Sequence, residues 1–323
     1  MAEAHKFLPI WFLNMESKAP LAVILEAAVQ QLGQIVLGKE REIRLSLACV
    51  LAKGHLLIED LPGMGKTTLA HALAQTLGLQ FHRIQFTADL LPADVLGVSI
   101  FDRGRSQFVF HPGPIFAHLV LADEVNRATP KAQSALLEAM EEHQVTVEGE
   151  TRTLPNPFFV IATQNPAHQL GTFPLPESQL DRFLMRIALG YPDQKAERLL
   201  LGGKDRRDLI TQMKPLLDPA SLIAAQQKVS AVFVSEALLD YVQALIAHSR
   251  TNGEFGTGIS PRAGLALVHA SRAWAFLSGR SQVLPEDVQA VLPAVAGHRL
   301  RGPAGEVSDD RLVQVLLANV AIP

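Results

Sequence analysis

Glu59-Asp60-Leu61-Pro62-Gly63-Met64-Gly65-Lys66-Thr67-Thr68 is the stretch on which the reading of this chain turns. The apolar run Leu56, Leu57, Ile58 leads into it, and Leu69, Leu73 and Leu77 recur every four residues after it. A buried strand, a glycine-rich turn and a helix therefore follow one another. Such a turn points backbone N–H groups at an anion, and the helix N-terminus adds positive potential. Pro62 to Thr68 are the candidate phosphate-cradling residues. Lys66 would reach the terminal phosphates of a nucleotide, and Thr67 would put its hydroxyl on Mg²⁺. The full pattern has glycine five positions before Gly65, where this chain has Asp60. A carboxylate facing phosphates would repel them, so Asp60 is expected to point toward the base of the loop or to solvent. Gly63 to Thr68 alone would then cradle the phosphates.

Two other stretches fit this one. Leu119-Val120-Leu121-Ala122-Asp123-Glu124 reads as a buried strand ending in two carboxylates, one for a metal's shell and one to activate water. Phe158-Phe159-Val160-Ile161-Ala162-Thr163-Gln164-Asn165 reads as another buried strand, ending in a polar amide. A lone Gly-x-Gly-Lys-Thr also fits an ordinary glycine turn. Together the three stretches read as an ATP-hydrolysing core with ATP and Mg²⁺ as its cofactors.

Composition sets the frame. A length of 323 residues corresponds to about two domains. With 48% hydrophobic and 19% charged residues the chain is folded around a large core. The net charge of −3, with no block of five like charges, argues against a dedicated nucleic-acid surface or a polybasic membrane patch. The single cysteine, Cys49, lies in an apolar helical pattern and reads as a buried small hydrophobe. One cysteine permits no internal disulfide, as expected of a protein in a reducing cytoplasm. The 11 histidines show no His-x-x-x-His spacing, and none is assigned to metal. No apolar run approaches the roughly 18 residues of a membrane span.

Along the chain, residues 1–20 read as an N-terminal extension, 21–191 as an α/β nucleotide-binding domain and 192–323 as a helical lid. Expected strands are His55–Glu59, Phe81–Thr87, His118–Asp123, Phe158–Thr163 and Met185–Leu189, with helices near Glu40–Ala52, Thr67–Leu77 and Lys131–Glu142 between them. This alternation is that of a parallel sheet, which places ligands at strand C-termini. Val98–Phe110 and Gln144–Leu154 interrupt it and read as β-hairpins outside the minimal sheet. Phe108 and Phe110 are expected to be packing aromatics of the first. After Tyr191-Pro192-Asp193 the pattern turns helical. Leu238, Leu239, Val242, Leu245 and Ile246 mark one apolar face, Ser260-Pro261 caps a helix, Pro285 opens another, and Arg311–Val320 forms the last.

Asp123-Glu124-Val125-Asn126-Arg127-Ala128-Thr129-Pro130-Lys131-Ala132-Gln133-Ser134-Ala135-Leu136-Leu137-Glu138-Ala139-Met140-Glu141-Glu142 resembles the MoxR group of AAA+ ATPases. So do Ala162-Thr163-Gln164-Asn165-Pro166, the stretch from Gly171 to Phe183, and Ser260-Pro261-Arg262-Ala263. The resemblance implies an AAA+ parallel-sheet domain with a separate all-α lid, in a ring, usually hexameric, with ATP between protomers. It implies that Val36-Leu37-Gly38 brackets adenine, that Asp123 holds Mg²⁺ through its water shell and that Glu124 polarises the attacking water. Asn165 takes the sensor-1 position, Arg182 the finger reaching into a neighbour's site, and Arg262 the sensor-2 position that carries the lid's response to ATP. Arg127 is a second candidate for the finger, and an ion pair with Asp181 or Glu177 is the competing use of Arg182. Both hairpins match pore- or partner-facing inserts.

The function implied is that of a chaperone-like machine which remodels or activates a partner protein, often for metal or cofactor insertion. A von Willebrand A domain protein, or another client protein, is the implied partner. The alternative is the ATPase subunit of an enzyme complex of the magnesium-chelatase type. A nucleic-acid motor is disfavoured, because Glu148 and Glu150 balance Arg152 on one hairpin and only Arg103 and Arg105 mark the other. A guanine-reading Asn-Lys-x-Asp sequence does not occur.

Overall fold

The computed structural model describes residues 21–165, 172–304 and 310–322. The N-terminal extension, Pro166 and Gly171 lie outside the described residues. Helices α1 (Leu21–Ile35) and α2 (Glu40–Leu51) precede strand β1 (Leu56–Glu59), and the glycine loop joins β1 to α3 (Lys66–Thr76). Then come β2 (Phe81–Gln85), the short α4 (Pro92–Leu96), β3 (Gly97–Asp102), β4 (Gln107–Pro112) and β5 (Leu119–Asp123). A 3-10 turn over Val125–Arg127 leads to α5 (Pro130–Glu142), β6 (Gln144–Val147), β7 (Glu150–Thr153), β8 (Phe159–Gln164), α6 (Glu177–Leu180) and β9 (Met185–Ile187). After β9 the named elements are all helical: α7 (Gln194–Leu201), α8 (Arg206–Thr211), α9 (Pro219–Ser230), α10 (Glu236–Thr251), α11 (Pro261–Leu277), α12 (Pro285–Ala296) and α13 (Asp310–Asn319).

Five strands form one parallel sheet in the order β2-β5-β8-β1-β9. The central strands carry apolar side chains on both faces because helices cover both. Successive strand residues point to opposite sides. Leu56, Ile58, Leu121 and Ile161 join the layer with α1, α2 and α3, whereas Leu57, Val120, Ala122 and Val160 join the layer with α5. The register pairs Glu59 with Gln164 and Gln85 with Asp123, so the polar ends of β1, β8, β5 and β2 share one edge.

The expected strands are all present, and two of them stop two residues early: β2 ends at Gln85 and not at Thr87. β9 ends at Ile187 and not at Leu189, because the N–H groups of Leu189 and Gly190 go to the Asp60 carboxylate instead of a neighbouring strand. Both hairpins form separate two-stranded antiparallel sheets. In β6–β7 the tight turn uses Glu148 and Gly149 at φ of 55° and 82°, the left-handed pair of a two-residue hairpin loop. Phe110 packs as expected, against Phe116 and beneath the Arg152 guanidinium, 3.9 Å from its ring centroid. Phe108 does not. It is 70% exposed and touches Phe101 at the hairpin's outer face.

Prolines and short polar residues set the helix starts. Ser260 Oγ accepts from the Ala263 N–H at 3.0 Å ahead of Pro261, and Asp218 and Ser235 cap α9 and α10 in the same way. Each such cap contributes about 1 kcal/mol. On α10, Leu238, Val242 and Leu245 are buried; Leu239 faces out at 40% exposure, one residue off the apolar stripe. The helical domain docks on the first. Gln226 Nε2 donates to Val50 O at 2.9 Å, Leu216 N to Thr76 O at 2.8 Å, and Arg299 donates to Asp181 Oδ1 and to the carbonyls of Phe183 and Leu184.

Candidate nucleotide-hydrolysis site

The loop from Asp60 to Gly65 leaves the C-terminal end of β1. Gly63 and Gly65 adopt φ of 84° and 89°, and open space extends 4 Å from where a Cβ would stand on either. Other side chains would be strained there, and the loop presents backbone toward that space. Helix α3 begins at once, with no side-chain cap and no acidic residue in its first turn. Its unpaired N–H groups and positive dipole end suit an anion. Lys66 is 7% exposed. Its Nζ donates to Asp60 O at 2.5 Å and to Asn165 Oδ1 at 3.0 Å. Burial pushes this ammonium below the ordinary lysine range, opposed by the carboxylates of Asp60, Asp123 and Glu124.

Asp60 turns to the base of the loop. It is buried, and its oxygens accept N–H groups from Leu61, Leu189 and Gly190. Of the two orientations expected from sequence, the structure takes the inward one. The face offered to phosphates is therefore free of that carboxylate.

The two carboxylates after β5 occupy different surroundings. Asp123 Oδ1 accepts from Thr163 Oγ1 at 2.5 Å, and Oδ2 accepts from Arg83 at 2.7 and 3.0 Å and from Thr67 Oγ1 at 3.4 Å. Glu124 takes a left-handed φ of 56°, which turns its side chain out of the strand. Such backbone costs about 1–3 kcal/mol and gathers at functional sites. Glu124 Oε1 accepts from Asn165 Nδ2 at 3.2 Å, and Oε2 accepts from Gln85 at 3.0 Å and from Arg127 at 3.3 Å. Thr163 links the pair, since its hydroxyl also accepts the Glu124 N–H at 2.9 Å.

These groups fit a magnesium-bound nucleotide. Thr67 and Asp123 bring a hydroxyl and a carboxylate side by side, the hard oxygen donors that Mg²⁺ takes. Among the described residues no group of three or more His, Cys, Asp or Glu side chains could hold a metal. Two protein oxygens beside a phosphate cradle is the donor set for an ion that completes its shell with phosphates and water. Val36 is buried, and Gly38 packs on Ala196 and Asp193 at the start of α7, with Lys39 Nζ on Tyr191 O at 2.8 Å. The segment that the family resemblance assigns to adenine thus abuts the chain that follows β9, where Asp60 accepts the Leu189 and Gly190 N–H groups.

Arg182 and Arg262 lie elsewhere. Both bind Glu141, in the last turn of α5, at 3.2 and 3.3 Å. Arg182 also donates to Leu137 O at 2.5 Å. They line a cleft of about 330 Å³ with Lys53, Gly54 and His55, which lead into β1 from its N-terminal end. The phosphate loop leaves the other end, and four strand residues span about 13 Å. The chain brings Lys66, Thr67, Asp123, Glu124 and Asn165 together at one edge of the sheet, and Arg182 and Arg262 at the other. Arg182 does sit in a structural ion pair, with Glu141 and not with Asp181 or Glu177. Asp181 is taken by Arg299 at 2.6 Å and Glu177 by Arg301 at 3.0 Å. Arg127, the second finger candidate, sits on its own chain's Glu124.

Sequence reading missed Arg83, Thr163 and Glu141. Arg83 stood in an expected strand as a lone basic residue. Only the spatial neighbourhood of β2 and β5 brings it to Asp123. Thr163 is a small polar residue in a mostly apolar strand, and Glu141 is one of three glutamates on α5.

Residues 55–185 match the family model of the ATPase family associated with various cellular activities (AAA), and residues 247–315 match an AAA lid domain. The uncharacterized protein YeaC of Bacillus subtilis is 42% identical, over 96% of this chain and 98% of its own length. The chaperone MoxR1 of Mycobacterium tuberculosis is 40% identical, over 93% of this chain and 82% of its own. A crystal structure from Cytophaga hutchinsonii, of a protein assigned as an ATPase, superimposes with a TM-score of 0.84 at 35% identity, covering 94% of this chain and 96% of that one. Likeness of this extent, carried through both domains, shows that the chain belongs to the MoxR family of AAA+ ATPases and hydrolyses ATP.

Proposed function

We propose that this chain hydrolyses ATP at interfaces between copies of itself, in a ring of the hexameric kind, and uses the cycle to remodel a partner protein. The observation that carries this reading is the division of charged residues between two edges of the sheet. One edge holds the phosphate loop and the carboxylates; the other holds Arg182 and Arg262 on Glu141. Neither arginine reaches its own chain's phosphate loop. A second copy, docked head to tail, would bring one edge against the other.

In that arrangement Gly63 to Thr68 bind the phosphates through backbone N–H groups, with Lys66 giving up Asp60 O and Asn165 Oδ1 for phosphate oxygens. Thr67 and Asp123 hold Mg²⁺, which when bound would neutralise phosphate charge and orient the nucleotide. Glu124 accepts the proton of the attacking water, and Asn165, already bonded to Glu124 Oε1, orders that water. Arg182 of a neighbour stabilises charge developing on the phosphoryl group, with Arg262 beside it. Positioning and charge stabilisation dominate phosphoryl transfer, so a site split across two subunits makes turnover depend on assembly. The partner is a client protein, docked through a von Willebrand A domain as the family resemblance implies. The exposed Val98, Ile100, Phe101 and Phe108 of the β3–β4 hairpin support the reading by offering an apolar contact surface. Among the described residues no helix is long and apolar enough to cross a membrane.

The test is turnover per chain against protein concentration, with sedimentation in parallel. Turnover should rise as the chain assembles. A monomer with full turnover at every dilution would refute the shared site.

A further inference from the structure

Asp60 occupies the position where the full phosphate-loop pattern has glycine, and its atoms connect two parts of the molecule. Its carbonyl accepts from Lys66 Nζ at 2.5 Å. Its carboxylate Oδ2 accepts the N–H groups of Leu189 at 2.7 Å and Gly190 at 2.6 Å, while Oδ1 accepts from Leu61 N at 2.8 Å. Its own N–H donates to Gln164 O at 3.2 Å, at the end of β8. Leu189 and Gly190 are where the chain leaves β9 on its way to α7, the first helix of the all-helical part of the chain. Hydrogen bonds to a carboxylate are the strong kind, and here three of them converge on the side chain of a buried residue. Glycine would supply no acceptor, and two N–H groups of the linker would lose their partner.

The same linker is held again on its far side. Lys39 Nζ donates to Tyr191 O at 2.8 Å, and a Cβ on Gly38 would stand 3.2 Å from the Ala196 Cβ. The linker is therefore gripped by the loop proposed to bind phosphate and by the segment proposed to bracket adenine.

We propose that Asp60 is the positioning residue through which the phosphate loop holds the lid linker, so that the turning of Lys66 toward a bound nucleotide is passed to the helical domain. The inference rests on the reading of the loop as the nucleotide site. Lys66 has two partners in this structure, Asp60 O and Asn165 Oδ1, and gives both up when it serves phosphates. The backbone that loses this donor belongs to the residue whose carboxylate fixes Leu189 and Gly190. A rearrangement at one end of Asp60 is thereby felt at the other, over a path of one residue.

Hydrogen exchange in the full-length chain tests this, in a Glu124→Gln background that keeps ATP intact. Exchange at Leu189 and Gly190 should change by about threefold or more on adding Mg²⁺ and ATP. Adding Asp60→Ala should speed exchange there by about tenfold without nucleotide and abolish the response to ATP, while ATP affinity stays within about tenfold. A purely structural bond would speed exchange and leave the ATP response intact, and that result overturns the proposal. Should Asp60→Ala fail to fold, Asp60→Ser decides, because a hydroxyl one bond shorter than the carboxylate cannot hold both N–H groups of the linker. Its ATP response should fall by about threefold, and a wild-type response would overturn the proposal. ATP binding with no change at the linker in the Glu124→Gln background overturns this inference alone; failure to bind ATP overturns the site reading as well.

Discussion

Replacing His55 by glutamine should flatten the dependence of stability on pH below neutrality. His55 is buried at the entry to β1, where Nδ1 accepts the Val160 N–H at 3.0 Å and Nε2 therefore donates to Met140 O at 3.1 Å. Protonation would put an N–H at Nδ1 facing the N–H of Val160. Burial pushes the imidazole down from 6.5 to about 4; the Met140 bond opposes the shift and the His143 ring, 6.2 Å away, adds to it. In the unfolded chain the same histidine takes its proton near 6.5. The unfolded state thus binds more protons between the two values. Stability is complete above about pH 6.5 and falls as the pH drops toward about 4. The full loss is about 3 kcal/mol, of which about 2 kcal/mol appears between roughly pH 7.5 and pH 5. Urea unfolding at those two pH values, in wild type and His55→Gln, measures it. His298 is also held well below its ordinary value by burial, so a residual slope should remain in the variant. Parallel pH curves for the two proteins would show that His55 is not held neutral. The consequence reaches the arginines, because Met140 precedes Glu141 on α5 and Glu141 holds Arg182 and Arg262.

Lys66→Ala should abolish ATP binding, whereas Glu124→Gln should keep binding and lose turnover, since Lys66 meets ground-state charge and Glu124 acts only on water. Affinity and hydrolysis measured side by side decide it, and wild-type turnover in Glu124→Gln would remove that residue from the mechanism. Arg83→Gln should free Asp123 of its guanidinium and lower the Mg²⁺ concentration needed for half-maximal ATP binding. The half-exposed Arg83 sets the size at about two- to fivefold. An unchanged or higher requirement would mean that Arg83 does not compete with the metal.

The site was legible in the sequence where it is local. Gly63 to Thr68, Asp123-Glu124 and Asn165 each mark the end of a buried strand, and a parallel sheet brings such ends to one edge whatever the strand order. What depended on strand order was not legible. Arg83 reaches Asp123 only because β2 pairs with β5, and Gln85 reaches Glu124 by the same register. Arg182 and Arg262 lie far apart in sequence and meet on Glu141 only when the lid has docked, so the sequence offered Asp181 and Glu177 as nearer partners. Asp60 looked like a defect of the loop until Leu189 and Gly190 came back beside it. The hairpins followed from their turns. The exposure of Phe108 against the packing of Phe110 did not, because both alternate in the same way along β4.

The shared site is tested most directly by mixing two inactive variants. Glu124→Gln lacks its own water-activating group but still offers Arg182 to a neighbour; Arg182→Ala keeps Glu124 but offers no finger. Each alone should hydrolyse ATP at a rate about 10³-fold or more below wild type. Co-assembled in equal amounts, roughly a quarter of the interfaces would pair an intact Glu124 with an intact Arg182, and turnover should recover to about that fraction. Mixed assemblies that form and stay inactive would contradict the account.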